Sequence, residues 1–241
     1  MDYLKATAKQ FLSLAGLTVS RRDRLAEQIP GAYLRSAYLP PIYRQSLGRL
    51  IYFSRMFEQA RDVPGDLVEC GVSVGTGILN WALLSELSGC TRQILGFDSF
   101  AGFPPSIDAD RKADGAFQTE KGDYASPPEL VLKVLEDGRV SPQFVRDNVR
   151  LIRGFFDQTV KDYGGRIALL HLDCDLYESY VVCLNALYPR VVTGGIIMFD
   201  EYEDLTFPGA KIAVDEFLRD KPERLAAYNE YGYLKYHIVK S

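Results

Sequence analysis

The sequence has no excess of positive charge and no clustered metal-binding cysteines. Its 28 Lys and Arg residues are outweighed by 32 Asp and Glu residues, which gives a formal net charge of −4. Proteins that bind nucleic acid usually carry a basic patch or stripe, so we expect no nucleic-acid partner. The four cysteines form no CxxC pair and the chain has only two histidines, so a zinc site has no support.

Long hydrophobic runs are also missing. No apolar run approaches the roughly 18 residues that a membrane span needs. The first residues, MDYLKATAKQFLSLAGLTVSRRDR, interrupt their apolar positions with charges and lack a small-residue cleavage pattern. We therefore expect neither a signal peptide nor a membrane span. Unpaired cysteines inside apolar runs are typical of a reducing cytoplasm, and the expected partner is a small molecule.

The chain is long enough for one α/β domain, with 241 residues of which 47% are hydrophobic. Residues 1–63 show apolar positions at helical spacing, among them Leu4, Phe11 and Leu47, and predict an N-terminal helical extension. Such an extension can cover the core, shape a substrate cleft or form a subunit interface, and we expect a homo-oligomer.

From residue 64 onward, short apolar runs alternate with helical patterns, as in DLVECGV, QILGFDSF, IALLHLDCD and VVTGGIIMFDEY. Continuous apolar strands between helices are typical of a mostly parallel sheet with helices on both faces. The sequence therefore predicts a Rossmann-like α/β domain over residues 64–241.

A stretch rich in Gly, Pro and Asp, residues 101–126, interrupts this alternation. It is too polar for a core segment and too long for an ordinary connection, so we interpret it as a lid loop. Ser126 and Glu129, with Pro128 between them, predict a capping box and a proline at the first position of the next helix.

The first candidate site follows the strand that ends in Val68, Glu69 and Cys70 and continues as GVSVGTG. Glycines let a backbone approach a ligand closely, and the helix that follows presents free N–H groups, so a nucleotide-like ligand is expected. The spacing departs from GxGxxG, which disfavours a dinucleotide. Glu69 suits a cationic amine. Asp98, at the end of the next strand, can accept hydrogen bonds from a ribose diol. A methyl donor is preferred over nicotinamide.

The second candidate site consists of acidic residues that end two later strands. Asp173 follows one apolar run, and Asp200 and Glu201 follow another. The carboxyl ends of parallel strands meet at one edge of the sheet, so these three carboxylates are expected to converge. Grouped carboxylates repel one another unless a cation compensates them, and oxygen ligands suit a hard ion such as Mg²⁺. The sequence therefore predicts a metal site.

Four segments carry a resemblance to a known family: VECGVSVGTG, GFDSFAGFP, HLDCDLYESY and GGIIMFDEYEDLTFPGAKIAVDEF. They resemble the macrocin O-methyltransferase family, whose class I, S-adenosylmethionine-dependent enzymes methylate sugar hydroxyls on macrolides and related natural products. The resemblance spans roughly residues 30–220. It implies an O-methyltransferase that uses S-adenosylmethionine and Mg²⁺ and acts on a glycosylated small molecule, with a deoxyhexose as the expected acceptor.

The resemblance also implies roles for individual residues. It places Glu69, Gly71, Asp98 and Ser99 at the cofactor, with Gly154 and Asp157 near the adenine. Ser73 and Gly75, in the glycine-rich turn, are also expected to bind the cofactor. The resemblance implies that the metal is held by Asp173, Asp200 and Glu201. After the fifth strand the family usually has two adjacent aspartates, whereas this chain has Asp200-Glu201 there.

The catalytic base is the remaining role. Catechol methyltransferases, more distant relatives, carry a lysine at the position of Leu176, so a base of that kind is absent. Asp173, as ligand and proton acceptor, is the first candidate, with His171 and Asp175 behind it. Two other functions stay open on the sequence: an NAD-type oxidoreductase on a similar sheet, and a non-catalytic protein that keeps the methyltransferase fold.

Overall fold

The computed structural model describes residues 44–241, which form one compact unit. A seven-stranded sheet with the order β3-β2-β1-β4-β5-β7-β6 runs through it. Strands β1 to β5 are parallel, and β7 is antiparallel to both β5 and β6. The strands are β1 (Asp66–Cys70), β2 (Ile94–Asp98), β3 (Val149–Arg153), β4 (Ile167–Leu172), β5 (Val191–Phe199), β6 (Ala226–Glu230) and β7 (Tyr233–Val239).

Helices cover both faces of this sheet, so the predicted Rossmann-like fold is confirmed. The helices are α1 (Arg44–Gln59), α2 (Thr76–Ser88), α3 (Pro128–Asp137), α4 (Pro142–Asn148), α5 (Phe156–Thr159), α6 (Tyr177–Leu187) and α7 (Pro208–Leu218). Helix α1 contains the helical spacing predicted at Leu47. Residues 1–43 of the predicted N-terminal extension lie outside the described residues.

The central strands β1, β4 and β5 bury most residues of both faces, which explains why they read as continuous apolar runs. On one face, alternate residues such as Leu67 and Leu169 pack with α1, α2 and α3. On the other face, their neighbours Val68 and Leu170 pack with α6 and α7. Because side chains alternate along a strand, Glu69 and His171 point to the same face as Leu67 and Leu169. Two polar side chains are thereby held inside an apolar layer.

Aromatic contacts fix helix α1 against the sheet. The Phe53 ring stacks on Trp81 with 4.2 Å between ring centroids, and the Tyr52 ring lies 4.8 Å from that of Tyr228. Gly48 faces the side chain of Tyr233, where an added Cβ would lie only 2.6 Å from the tyrosine Cβ. Helix α1 therefore packs closely against β6, β7 and α2, and this packing places its Arg49 at the carboxyl edge of the sheet.

The loop between β2 and α3, residues 99–127, is tied down at two points. The Ser126 hydroxyl donates a hydrogen bond to the Ser73 carbonyl at 2.9 Å. Helix α3 begins after Pro127 without a side-chain cap, so the predicted capping box at Ser126 is wrong, because its hydroxyl joins the loop to the glycine-rich turn instead. The prediction that Pro128 opens the helix is confirmed.

Asp110 provides the second attachment of this loop. Its buried carboxylate accepts hydrogen bonds from the Ile107 N–H at 3.0 Å and from the Tyr177 N–H at 2.8 Å. The first N–H groups of a helix have no partner within the helix, so Asp110 caps α6 from a distant part of the chain. A side chain at Gly209 would overlap this carboxylate. The loop is thus joined to the helix that follows Asp173.

Among the helices of residues 44–241, none is both long enough and apolar enough to span a membrane.

Candidate active site

A cleft of about 970 Å³ opens at the carboxyl ends of β1, β2 and β4. The chain moves from β1 outward to β2 and β3, then returns to place β4 on the other side of β1. Ligands of open α/β sheets bind at this reversal of strand order. The cleft wall includes Glu69, Asp98 and Asp173, which the sequence assigned to two separate sites.

Gly71 brings those two sites together. Its φ is +91°, and an added Cβ would overlap the carbonyl oxygen of Asp173. Next to this contact, the Asp173 N–H donates to the Cys70 carbonyl at 2.9 Å. Only glycine adopts this backbone conformation readily and leaves room for the passing chain. Ser73 follows on the cleft wall, whereas Gly75 caps α2 and faces Val131 instead of the cleft.

Glu69 is a buried acid at the floor of the cleft. Its carboxylate lies against Gly77, where any side chain would overlap it, and its Oε1 is 3.2 Å from Nδ1 of His171. The second oxygen, Oε2, is buried without a hydrogen-bond partner. Burial raises the pKa of Glu69, and the interaction with His171 opposes that rise. A buried oxygen without a partner is costly, so this position suits a ligand that brings a cationic donor.

Asp98 braces the glycine-rich turn. Its Oδ2 accepts from the N–H groups of Val72 and Ser73, both at 2.8 Å, and its Oδ1 accepts from the Phe100 N–H at 2.6 Å. A carboxylate has about four acceptor sites, so one site on Oδ1 remains for a ligand hydroxyl. Ser99 also lies on the cleft wall, and its hydroxyl donates to the Gly102 carbonyl at 2.8 Å.

The residues assigned to the adenine divide between the cleft wall and its support. Asp157, in α5, lies on the wall. Gly154 does not line the cleft, and its N–H donates to the Asp98 carbonyl at 2.9 Å. The aromatic pair Phe155 and Phe156 lines the wall beside Asp157. We did not select these two rings from the sequence, although adjacent aromatic residues after a strand were a visible signal.

The acidic residues after β4 and β5 converge as expected. Asp173, Asp200 and Glu201 each offer a carboxylate oxygen, and these atoms lie within 4.8 Å of one another. We call these three residues the acidic cluster. Asp173 lines the cleft, whereas Glu201 is buried behind it and accepts a hydrogen bond from the Tyr180 hydroxyl at 2.6 Å.

Cationic side chains surround Asp200. Arg49 lies 2.7 Å from Asp173 Oδ2 and 3.5 Å from Asp200 Oδ1, and Lys235 lies 2.8 Å from Asp200 Oδ2. Nε2 of His171 is 3.5 Å from Asp200 Oδ1. Burial alone raises the pKa of Asp200, but Arg49, His171 and Lys235 outweigh it and hold that pKa well below its usual range. Asp200 is therefore ionised.

The neighbouring acids behave in the opposite way. Burial, together with the charges of Asp173 and Asp200, raises the pKa of Asp175 well above its usual value. Burial and the charge of Asp175 do the same to the pKa of Glu201. Burial lowers the pKa of His171, but its interactions with Asp200 and Glu69 outweigh that effect and raise the pKa to about 9. The site thus brings together carboxyl groups whose pKa values are shifted in opposite directions.

The acidic cluster fits a hard divalent ion. Three carboxylates from two adjacent strand ends supply oxygen ligands, which Mg²⁺ prefers. Asp200 Oδ1 is buried and lacks a hydrogen-bond partner, so it has an acceptor site to offer.

Aromatic rings from two loops form the outer wall of the cleft. Phe103 and Tyr124 meet edge to face with 5.4 Å between centroids, and Phe207 lies 6.3 Å from Phe103. Phe117 lies elsewhere, with the Arg111 guanidinium 4.2 Å from its ring centroid, so it does not contribute to this wall.

Sequence reasoning missed Arg49, Asp110 and Lys235. Arg49 belongs to a helix that precedes every motif, and Asp110 is one of several acids in a polar loop. Lys235 offered a weak signal, because it is a single cation inside the apolar strand pattern YLKYHIV. Their importance comes from tertiary contacts that no local pattern encodes.

Comparison with known proteins places this geometry in a family. A family model described as macrocin O-methyltransferase matches residues 48–225. The chain is 28% identical over 227 residues to a mycinamicin III 3''-O-methyltransferase from Micromonospora griseorubida, covering 92% of this chain and 88% of that protein. It is 36% identical over 148 residues to a tetracenomycin rhamnosyl 4'-O-methyltransferase from Streptomyces olivaceus, covering 59% of this chain and 55% of that protein.

Solved structures agree with this placement. The calicheamicin methyltransferase CalS11 superimposes with a TM-score of 0.72 at 29% identity, covering 86% of this chain and 85% of that one. A second structure of CalS11, described as a TDP-rhamnose 3'-O-methyltransferase, gives a TM-score of 0.64 at 27% identity. The sheet order and these neighbours define a class I methyltransferase fold. The chain belongs to the macrocin O-methyltransferase family, which confirms the resemblance inferred from its motifs.

The first prediction concerns Asp98. Replacing it with alanine removes the acceptor of the turn and the acceptor site that we assign to the ribose. Calorimetry should show that Asp98→Ala binds S-adenosylmethionine more weakly by about 1–3 kcal/mol. Asp108→Ala, which removes an exposed acid outside the cleft wall, is the matched control and should bind normally. Unchanged affinity in folded Asp98→Ala would restrict Asp98 to a structural role.

Proposed function

We propose that this chain transfers a methyl group from S-adenosylmethionine to a hydroxyl of a glycosylated small molecule. The observation that carries the proposal is the contact at Gly71, which places the glycine-rich turn and Asp173 of the acidic cluster in one cleft. Family membership and the printed activities of the relatives support it. The chain aligns with just over half of the tetracenomycin enzyme and with 88% of the mycinamicin enzyme.

S-adenosylmethionine, when bound, supplies the electrophilic methyl group. For its amine, the chain offers the unpaired Oε2 of Glu69. For its ribose, the chain offers the remaining acceptor site on Asp98, and for its adenine the Phe155 and Phe156 rings beside Asp157. These groups line the same cleft as Asp173, so they would hold the cofactor near that residue, where positioning contributes to the rate.

We assign Asp173, Asp200 and Glu201 as the residues that would hold Mg²⁺. A divalent ion there supplies Lewis-acid polarisation, which lowers the pKa of a nearby hydroxyl and orients its oxygen. Glu201, with its longer side chain, stands where relatives usually carry aspartate. Its buried carboxylate accepts a hydrogen bond from the Tyr180 hydroxyl and still offers an oxygen to the acidic cluster.

The proton of the acceptor hydroxyl needs a base. Asp173 remains our first candidate because it lies on the cleft wall within the acidic cluster. Asp175 is the second, since it also lines the cleft and since burial and the charges of Asp173 and Asp200 raise its pKa, which makes it a stronger base. His171 is fully buried and does not line the cleft, so it is placed to hold Glu69 and Asp200 instead.

For the acceptor, we propose a deoxyhexose attached to a larger natural product. The rings of Phe103, Tyr124 and Phe207 present apolar faces beside polar groups, and a sugar ring has apolar C–H patches beside its hydroxyls. We propose that residues 101–126 act as a lid over this sugar. The same proposal divides the chain into an extension over residues 1–63 and a catalytic domain over residues 64–241. It also includes a homo-oligomeric state and a cytoplasmic location.

The two alternative functions lose support. An NAD-type oxidoreductase does not agree with membership of a methyltransferase family. A non-catalytic relative has no need to keep a buried, unpaired Glu69 oxygen and an acidic cluster within one cleft.

The second prediction tests the acceptor class. We expect methyl transfer from labelled S-adenosylmethionine to rhamnosides and other deoxyhexosides, and weak or no transfer to simple catechols. A variant with residues 103–124 replaced by a short Gly/Ser linker should lose glycoside turnover but still bind the cofactor. Efficient catechol turnover without glycoside turnover would refute the sugar assignment, and full activity of the loop variant would refute the lid.

The third prediction concerns the metal. EDTA should abolish methyl transfer while leaving cofactor affinity largely unchanged, because the ion is assigned to the acceptor oxygen, and Mg²⁺ should restore the rate. Asp173→Asn should be the most damaging of the single ligand changes, since it removes both a ligand charge and the proposed base. Full activity in chelator would contradict the metal assignment.

A further inference from the structure

Arg49 occupies a position that the proposed metal ion would need. Its guanidinium faces two of the three members of the acidic cluster, at 2.7 Å from Asp173 and 3.5 Å from Asp200. Arg49 therefore contacts two carboxylates of the acidic cluster and also lines the cleft. A guanidinium is always protonated in proteins, so this cation does not disappear with pH.

The helix that carries Arg49 is held firmly. Gly48 lies against Tyr233, and the Phe53 ring stacks on Trp81 and meets the His171 ring edge to face at 4.9 Å. The Arg49 guanidinium lies 5.1 Å from the centroid of Phe53. The packing of α1 therefore brings Arg49 to the acidic cluster, where its guanidinium is held by two carboxylates.

Both oxygens of Asp200 already face cations. Lys235 pairs with Oδ2, and Arg49 and His171 both approach Oδ1 at 3.5 Å. His171 is fully buried in β4. Lys235 belongs to β7, and its side chain is only 16% exposed. Arg49 differs from these two because it lines the cleft, so its guanidinium has open space into which it can move.

We propose that Arg49 is a built-in counter-cation of the acidic cluster, and that a divalent ion binds by displacing its guanidinium from Asp173 and Asp200. The inference rests on the proposed metal site. It gives the carboxylates of Asp173 and Asp200 a cationic partner before the ion arrives, so that these two acids are not left uncompensated. It also implies that ion binding moves a cationic hydrogen-bond donor into the cleft, beside the acceptor.

If Arg49 instead supported the metal ligands, its removal would change the metal affinity in the opposite direction. Side chains that hydrogen-bond to metal ligands from outside usually support metal binding, and their loss weakens it. A competing cation, in contrast, weakens metal binding, and its loss strengthens it. The sign of the change in metal affinity therefore separates the two roles without any assay of methyl transfer.

The test is Mn²⁺ binding, followed by electron paramagnetic resonance and by calorimetry on the full chain. Arg49→Met removes the charge and keeps an unbranched apolar side chain for the contact with Phe53. It should bind Mn²⁺ about tenfold more tightly than the unmodified protein, because a positive charge close to the ion is removed. Arg55→Met, on an exposed position of the same helix, is the matched control and should leave the affinity unchanged.

Thermal unfolding gives a second readout. Without metal, Arg49→Met should unfold at a lower temperature than the control, and Mn²⁺ should raise its unfolding temperature by more than it raises that of the control. Equal or weaker Mn²⁺ binding by Arg49→Met would overturn the exchange role while leaving the metal site in place. If neither protein binds Mn²⁺, both the exchange role and the proposed metal dependence are refuted.

Discussion

The close passage of Gly71 over the Asp173 carbonyl is the constraint on which the site depends. Strands β1 and β4 are neighbours, so the segments that leave their carboxyl ends must pass each other within contact distance. Any side chain at position 71 would push these segments apart. Because the segments touch, Asp173 of the acidic cluster and the surface assigned to the cofactor share one cleft.

The second requirement is electrostatic. Several carboxyl groups lie close together at the edge of the sheet, and burial makes their ionisation costly. The chain meets this cost in two ways: Arg49, Lys235 and His171 compensate Asp200, while Asp175 and Glu201 have raised pKa values. Helix α1 contributes to this balance through Arg49, so it belongs to the site as well as to the core.

Much of the fold could be predicted from the sequence, because buried parallel strands leave continuous apolar runs and place their terminal acids at one edge. Glu69, Asp98 and Asp173 could be placed at that edge for this reason, and all three line the cleft. Arg49 and Asp110 could not be found in this way, since each acts on residues far away in the chain, Asp173 and Tyr177 respectively. The capping box at Ser126 failed for a related reason, because a tertiary contact with Ser73 replaced the local hydrogen bond.

A crystal structure grown with S-adenosylhomocysteine and Mn²⁺ tests the central claim most directly, since anomalous scattering locates the ion independently of activity. The account predicts one Mn²⁺ peak coordinated by Asp173, Asp200 and Glu201, with the Arg49 guanidinium turned away from these carboxylates and the amino group of the ligand beside Glu69. A ligand bound outside this cleft, or an acidic cluster that holds Arg49 and no ion at saturating Mn²⁺, would contradict it.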